Sequence, residues 1–126
     1  MMFVRSGREK HIQEGCIMWF RNQYPEHRML CFHVPNGGAR NSKEGSALKR
    51  QGVLAGVSDI TIQIPKGKYH GCWFELKTER GTLTKQQKEF LQAVNEQDYY
   101  TTVIKSVDQF IEEVESYMNQ KTQSNE

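Results

Sequence analysis

Asp59 and the triplet Glu75-Leu76-Lys77 carry the side chains best suited to chemistry in this chain. Ile60, Ile62 and Ile64 alternate with Asp59, Thr61 and Gln63, so Asp59 is expected to open the polar face of a short strand. From Cys72 to Lys77 the same alternation sets Trp73, Glu75 and Lys77 on one face and Cys72, Phe74 and Leu76 on the other. Between the two runs, Pro65-Lys66-Gly67-Lys68 is turn material. A hairpin there brings Asp59 near Glu75, with Lys77 beside them. Two carboxylates and one ammonium on one sheet face can hold a divalent metal and activate water. Magnesium and manganese are hard ions that prefer oxygen donors, and the Leu76 carbonyl lies between the two reactive side chains as a third ligand. The same residues also suit a solvated face with a cross-strand ion pair. The residues after Lys77 separate these two possibilities.

Downstream, Thr84 and Gln87 form a capping box, and Phe90, Leu91 and Val94 give the next helix an apolar stripe. Gln86 then lies in the first helical turn, one turn before Phe90, and is expected to point back toward the sheet. The ordered set of Asp59, Glu75-Leu76-Lys77, a short loop with Gly81, and Thr84-Lys85-Gln86 resembles the PD-(D/E)XK nucleases. More narrowly it resembles their VRR-NUC branch. Upstream, His33-Val34-Pro35-Asn36-Gly37-Gly38-Ala39-Arg40 is similar to the Pro-Asn-Gly segment of stand-alone VRR-NUC proteins, and Leu48 to Asp59 is similar to their Lys-Arg-x-Gly-Val-x-x-Gly-x-x-Asp stretch. The resemblance runs from about Glu9 to Met118. Two positions depart from it: Ser58 stands where the family has Pro, and Asp98-Tyr99 where it often has Gly-Tyr. Asp tolerates a left-handed turn better than most residues.

The resemblance implies an α/β fold, a restriction-endonuclease-like mixed sheet flanked by helices around a PD-(D/E)XK core. It implies a metal-dependent endodeoxyribonuclease using Mg2+ or Mn2+, with Asp59, Glu75, Lys77 and Gln86 as the catalytic set. An acidic residue on the first helix completes the metal site in this family; Glu14 is the matching position, with Glu9 as the substitute. Lys77 would hold the attacking hydroxide and a phosphate oxygen in line, and Gln86 would orient water or phosphate. Lys49 and Arg50 would bind flanking phosphates, Arg40 and Asn36 would add DNA contacts, and Gly37 and Gly38 would let the backbone approach DNA closely. Stand-alone relatives resemble Holliday-junction resolvases, act as homodimers and commonly come from phages or prophages. A cytoplasmic homodimer acting on four-way junctions in a bacterial or phage-infected cell is therefore expected. Cleavage of flaps or nicks, and a DNA-binding module without catalysis, are the alternatives.

The rest of the chain must position these groups. At 126 residues it makes one domain, expected as an arm over residues 1–8, the nuclease domain over 9–119 and a disordered tail over 120–126. A net charge of +2 does not announce a nucleic-acid binder. Basic residues nevertheless concentrate between Arg40 and Lys68, while Glu112 to Glu115 is acidic. Cys16, Cys31 and Cys72 are far apart, and the histidines lack ligand spacing, so buried thiols are expected instead of a zinc site or a disulfide. Arg5 interrupts the apolar start, and no run approaches membrane-spanning length. Helical spacing covers Glu9 to Gln23, ended by Tyr24-Pro25. A strand over Met29 to Val34 and a helix over Ser42 to Gln51, stopped by Gly52, precede the motif strands. A strand over Tyr99 to Lys105 follows, and Ser106 with Gln109 forms a second capping box before Phe110, Ile111, Val114, Tyr117 and Met118. Exposed apolar residues around Ile17 and Met18, or the arm from Met1 to Val4, are the expected dimer surface.

Overall fold

The computed structural model describes residues 7–35 and 42–121, and turn and cap chemistry divide these described residues into nine elements. Helix α1 runs Gly7–Gln23 and stops at Tyr24-Pro25, as proline geometry requires. Pro25–Leu30 then forms a 3-10 helix, so strand β1 is only Cys31–His33. The strand expected from Met29 thus loses two residues at its start, because the proline-initiated turn continues through Met29 and Leu30. Helix α2 spans Ser42–Arg50, and Gly52 ends its connection at φ +103°. Strands β2 (Ile60–Ile62) and β3 (Gly71–Leu76) form the expected hairpin, with Gly67 at φ +55° in its turn. Helix α3 (Lys85–Glu96), strand β4 (Tyr99–Ile104) and helix α4 (Val107–Met118) complete the chain. Asp98 takes the left-handed turn before β4, at φ 65°.

The sheet order is β1-β2-β3-β4. β1, β2 and β3 are antiparallel neighbours, whereas β3 and β4 are parallel, so α3 is the crossover between two adjacent strands. The fold is therefore the mixed α/β sheet with flanking helices expected from the sequence.

Alternation sorts the sheet residues onto two faces. Ile60, Ile62, Cys72, Phe74 and Leu76 meet Cys16 and Phe20 of α1 and Phe110, Val114 and Tyr117 of α4 in one apolar core. Phe74 and Phe110 stack edge to face at 5.3 Å. The opposite face meets α3, where Trp73 packs on Phe90 at 5.0 Å. The three cysteines are free and buried in the core, as expected.

The caps hold each helix in register. At α3, Thr84 accepts from the Gln87 N–H and Gln87 returns to the Thr84 N–H. At α4, Ser106 accepts from the Gln109 N–H, but the Gln109 side chain reaches past the cap to the Lys105 N–H and the Val103 carbonyl. Arg8 belongs to α1, and Gln120 and Lys121 are tied down: Gln120 donates to the Tyr117 carbonyl, and the Lys121 carbonyl accepts from Gly67 at 2.8 Å. Among the described residues no helix is long and apolar enough to cross a membrane.

Candidate active site

Asp59 immediately precedes β2, and the β2–β3 register places it opposite Glu75. The two carboxylates therefore occupy neighbouring positions on the α3 face. Both are buried, at 5% and 3% exposure. The polar face is thus covered and not solvated, with β2 and β3 as the two central strands of the sheet.

Asp59 is fixed by its backbone as well as its side chain. Its N–H donates to the Phe74 carbonyl at 3.1 Å, and its carbonyl accepts from the Val34 N–H at 3.0 Å. His33 Nδ1 also meets that carbonyl, at 2.7 Å. A carbonyl only accepts, so Nδ1 carries the proton. The Asp59 carboxylate accepts from the Leu76 N–H at 2.7 Å. That bond crosses the hairpin and aims the carboxylate at the Glu75-Leu76-Lys77 segment.

Glu75 is oriented from α3. Gln87 Nε2 donates to Glu75 Oε2 at 3.1 Å, while Gln87 Oε1 accepts from the Thr84 N–H. The capping box thereby decides which end of the amide faces the carboxylate. Gln86, expected in this place, is exposed. Its backbone instead supports the loop before Asp59: Gly56 sits at φ +92°, and a Cβ there would lie 2.5 Å from the Gln86 carbonyl oxygen. Gln86 and Gln87 are about 100° apart on a helix, and the pairing of Trp73 with Phe90 turns the second of them inward. A glutamine read only as a cap partner hides this role, since a cap uses its oxygen and leaves the amide N–H groups for a second acceptor.

Lys77 follows β3 directly. Its N–H still bonds β4, to the Ile104 carbonyl at 2.9 Å, so strand alternation carries its side chain to the Glu75 face. Gly81 lies against its stem, where a Cβ would come 3.2 Å from Lys77 Cδ.

The structure gathers fewer of the expected groups than the resemblance implied. Glu14 is exposed and lines a groove with Lys10, Gln13 and His33. Among the described residues no three His, Cys, Asp or Glu side chains converge, so Glu14 does not join Asp59 and Glu75. Helical phase is the reason. Cys16 and Phe20 point inward, which turns Glu14 outward and puts half-buried Glu9, two turns before Cys16, on the inward stripe. Lys49 and Arg50 are exposed at the end of α2, and Lys49 shares a cleft with Gln86 and Phe90. Asn36 and Arg40 lie outside the described residues.

The donor set itself is all oxygen: two carboxylates side by side, with the Leu76 peptide between Glu75 and Lys77. Neighbouring carboxylates in a covered site repel each other unless a cation lies between them, and a hard divalent ion is the cation that takes such donors. The residues therefore fit a hard divalent ion.

Comparison with known proteins identifies the family and the fold. The VRR-NUC domain profile matches residues 7–108. A solved structure described as a VRR_NUC domain protein is 26% identical, covers 94% of each chain and superposes with a TM-score of 0.80. No curated protein matches the chain. The profile spans more than half of the sequence, includes Asp59, Glu75 and Lys77, and coincides with the mixed sheet that carries them. The chain thus belongs to the VRR-NUC domain family, nucleases of the PD-(D/E)XK superfamily.

Proposed function

We propose that this protein is a Mg2+- or Mn2+-dependent endonuclease that cuts branched DNA as a homodimer, with the four-way junction as its preferred substrate. The observation that carries the chemistry is the buried pairing of Asp59 with Glu75 across the β2–β3 hairpin, followed by Lys77 on the same face. Asp59, Glu75 and the Leu76 carbonyl would hold the ion, which when bound acidifies a water and offsets charge on the phosphate. Lys77 steadies the nucleophile and a non-bridging phosphate oxygen. Gln87 holds Glu75 in its ligating orientation, and the Leu76 N–H does the same for Asp59. Glu14, exposed in the groove beside His33, stands outside the ligand set proposed here. Lys49 and Arg50, with Arg40 and Asn36, contact flanking DNA.

Two equivalent cuts in a junction need two sites related by a two-fold axis. Exposed apolar side chains support a self-contact on the β1 side of the molecule: Met18 is 63% exposed, Met29 87% and Phe32 42%. β1 is an edge strand of the sheet, and an edge bordered by apolar residues is a ready pairing surface.

Cleavage of a four-way junction, a 5′ flap, a nicked duplex and a linear duplex tests the proposal, with magnesium or with EDTA and with Asp59→Asn alongside. Paired junction cuts that need the metal and vanish in Asp59→Asn are the expected result. Preference for the flap or nick by a monomer, measured by light scattering, would replace the junction assignment. DNA binding without cleavage of any substrate would leave a binding module.

A further inference from the structure

A groove of about 610 Å³ begins where the catalytic strand ends, lined by Arg8, Thr78, Glu79 and Arg80. Arg8 stands in the first turn of α1, and Arg80 in the turn closed by the Gly81 N–H to the Thr78 carbonyl at 3.0 Å. They are distant in sequence and line one groove because the start of α1 and the β3–α3 connection come to the same place in the fold. The same turn places Gly81 against the Lys77 stem, so the groove adjoins the reacting end of the site. Both arginines are exposed, and among the described residues neither is ion-paired.

We propose that Arg8 and Arg80 form a subsite for a DNA phosphate next to the one being cut. The subsite rests on the nuclease activity proposed for Asp59, Glu75 and Lys77 and adds a binding contact to it. A guanidinium presents a planar fork of N–H donors that matches phosphate oxygens, and two forks lining one groove grip a phosphate more selectively than one. A strand whose scissile phosphate lies at Glu75 and Lys77 continues over Thr78, the first residue of the groove. Glu79 shares the rim and opposes the anion. Two guanidiniums against one carboxylate still favour phosphate, and the carboxylate supplies a test of opposite sign. The group gripped is either a backbone diester or a terminal phosphate at a nick or flap; the chemistry is shared, and the substrate distinguishes them.

The experiment measures DNA affinity in EDTA for wild type and Arg8→Ala/Arg80→Ala. A neutral methylphosphonate replaces one phosphate at a time along the cut strand, and a parallel set carries 5′-phosphate or 5′-hydroxyl ends. Wild type is expected to lose about tenfold in affinity at one position, and the double variant to lose nothing further there. The variant's salt dependence should flatten by about one to two units of slope, and Glu79→Gln should bind more tightly than wild type. Coupling at an internal position assigns the diester; coupling only to the 5′ end assigns a terminal phosphate. If every position costs the two proteins equally, the subsite is overturned. Wild type that cleaves but shows no coupled position overturns the subsite alone. A coupled position in a protein that never cleaves overturns the nuclease activity alone.

Discussion

The two faces of the β2–β3 hairpin are both covered, yet they are built from opposite chemistry. Toward α1 and α4 the strands present Ile60, Ile62, Cys72, Phe74 and Leu76, all at or near zero exposure. Toward α3 they present Asp59, Thr61 and Glu75 at nearly the same depth. Each of these polar residues has a partner. Thr61 Oγ1 donates to the Cys72 carbonyl at 2.8 Å and accepts from Gln63 at 2.7 Å, while Asp59 and Glu75 accept from Leu76 and Gln87. Apolar burial stabilises roughly in proportion to area, whereas burying a polar group costs free energy until it is hydrogen-bonded. One face therefore supplies stability and the other holds chemical groups at fixed angles. A hairpin shared between them lets a firm core dictate the geometry of a reactive pair.

Adjacent residues offer the strongest attempt to break that contrast. Glu75→Gln should lower single-turnover cleavage by on the order of a thousandfold, with a thermal midpoint close to wild type, because the isosteric amide keeps an oxygen for Gln87. Phe74→Ala, one residue away on the other face, should cost about 3–5 kcal/mol of stability, read from urea unfolding. Comparable destabilisation by both would mean that the faces are not divided in this way.

A smaller effect separates the two glutamines of α3. Gln87→Leu should slow cleavage by about tenfold, the scale of one lost hydrogen bond to a charged group. Gln86→Leu should slow it less. The reverse order in single-turnover rates would return to Gln86 the part expected from the sequence.

A further contrast concerns the thiols of the apolar face, and it is silent at neutral pH. Burial pushes Cys16 and Cys31 up from 9.0 to about 12, and Cys72 upward for the same reason. Such a thiol stays neutral in the folded chain while it ionises in the unfolded one. Its contribution to stability is complete below pH 9 and is lost as the pH rises toward 12. The urea midpoint should therefore fall across that window, and less steeply when Cys16 and Cys31 are both alanine. A fall of equal steepness in that variant would assign the effect to other groups, buried Tyr117 first.

The sequence by itself determined whatever depends on neighbours along the chain. Alternation put Asp59, Glu75 and Lys77 on one face, Pro65 to Lys68 marked the hairpin, and Thr84 and Ser106 marked two helix starts. It also placed Cys16 and Cys72 in the core. Those patterns arise from strand periodicity, proline and glycine dihedrals and local hydrogen bonds, which need no distant partner. Only the tertiary structure decided how deep the carboxylates lie, since alternation names a face and not the elements that cover it. Helix phase at α3 was likewise decided by packing, one residue's difference turning Gln87 inward over Gln86. Met29 and Leu30 look like strand residues, but the turn begun at Pro25 claims them. Arg8 and Arg80 share a groove because two distant segments come to the same place in the fold. No periodicity encodes that meeting, because it is a property of the assembled layers.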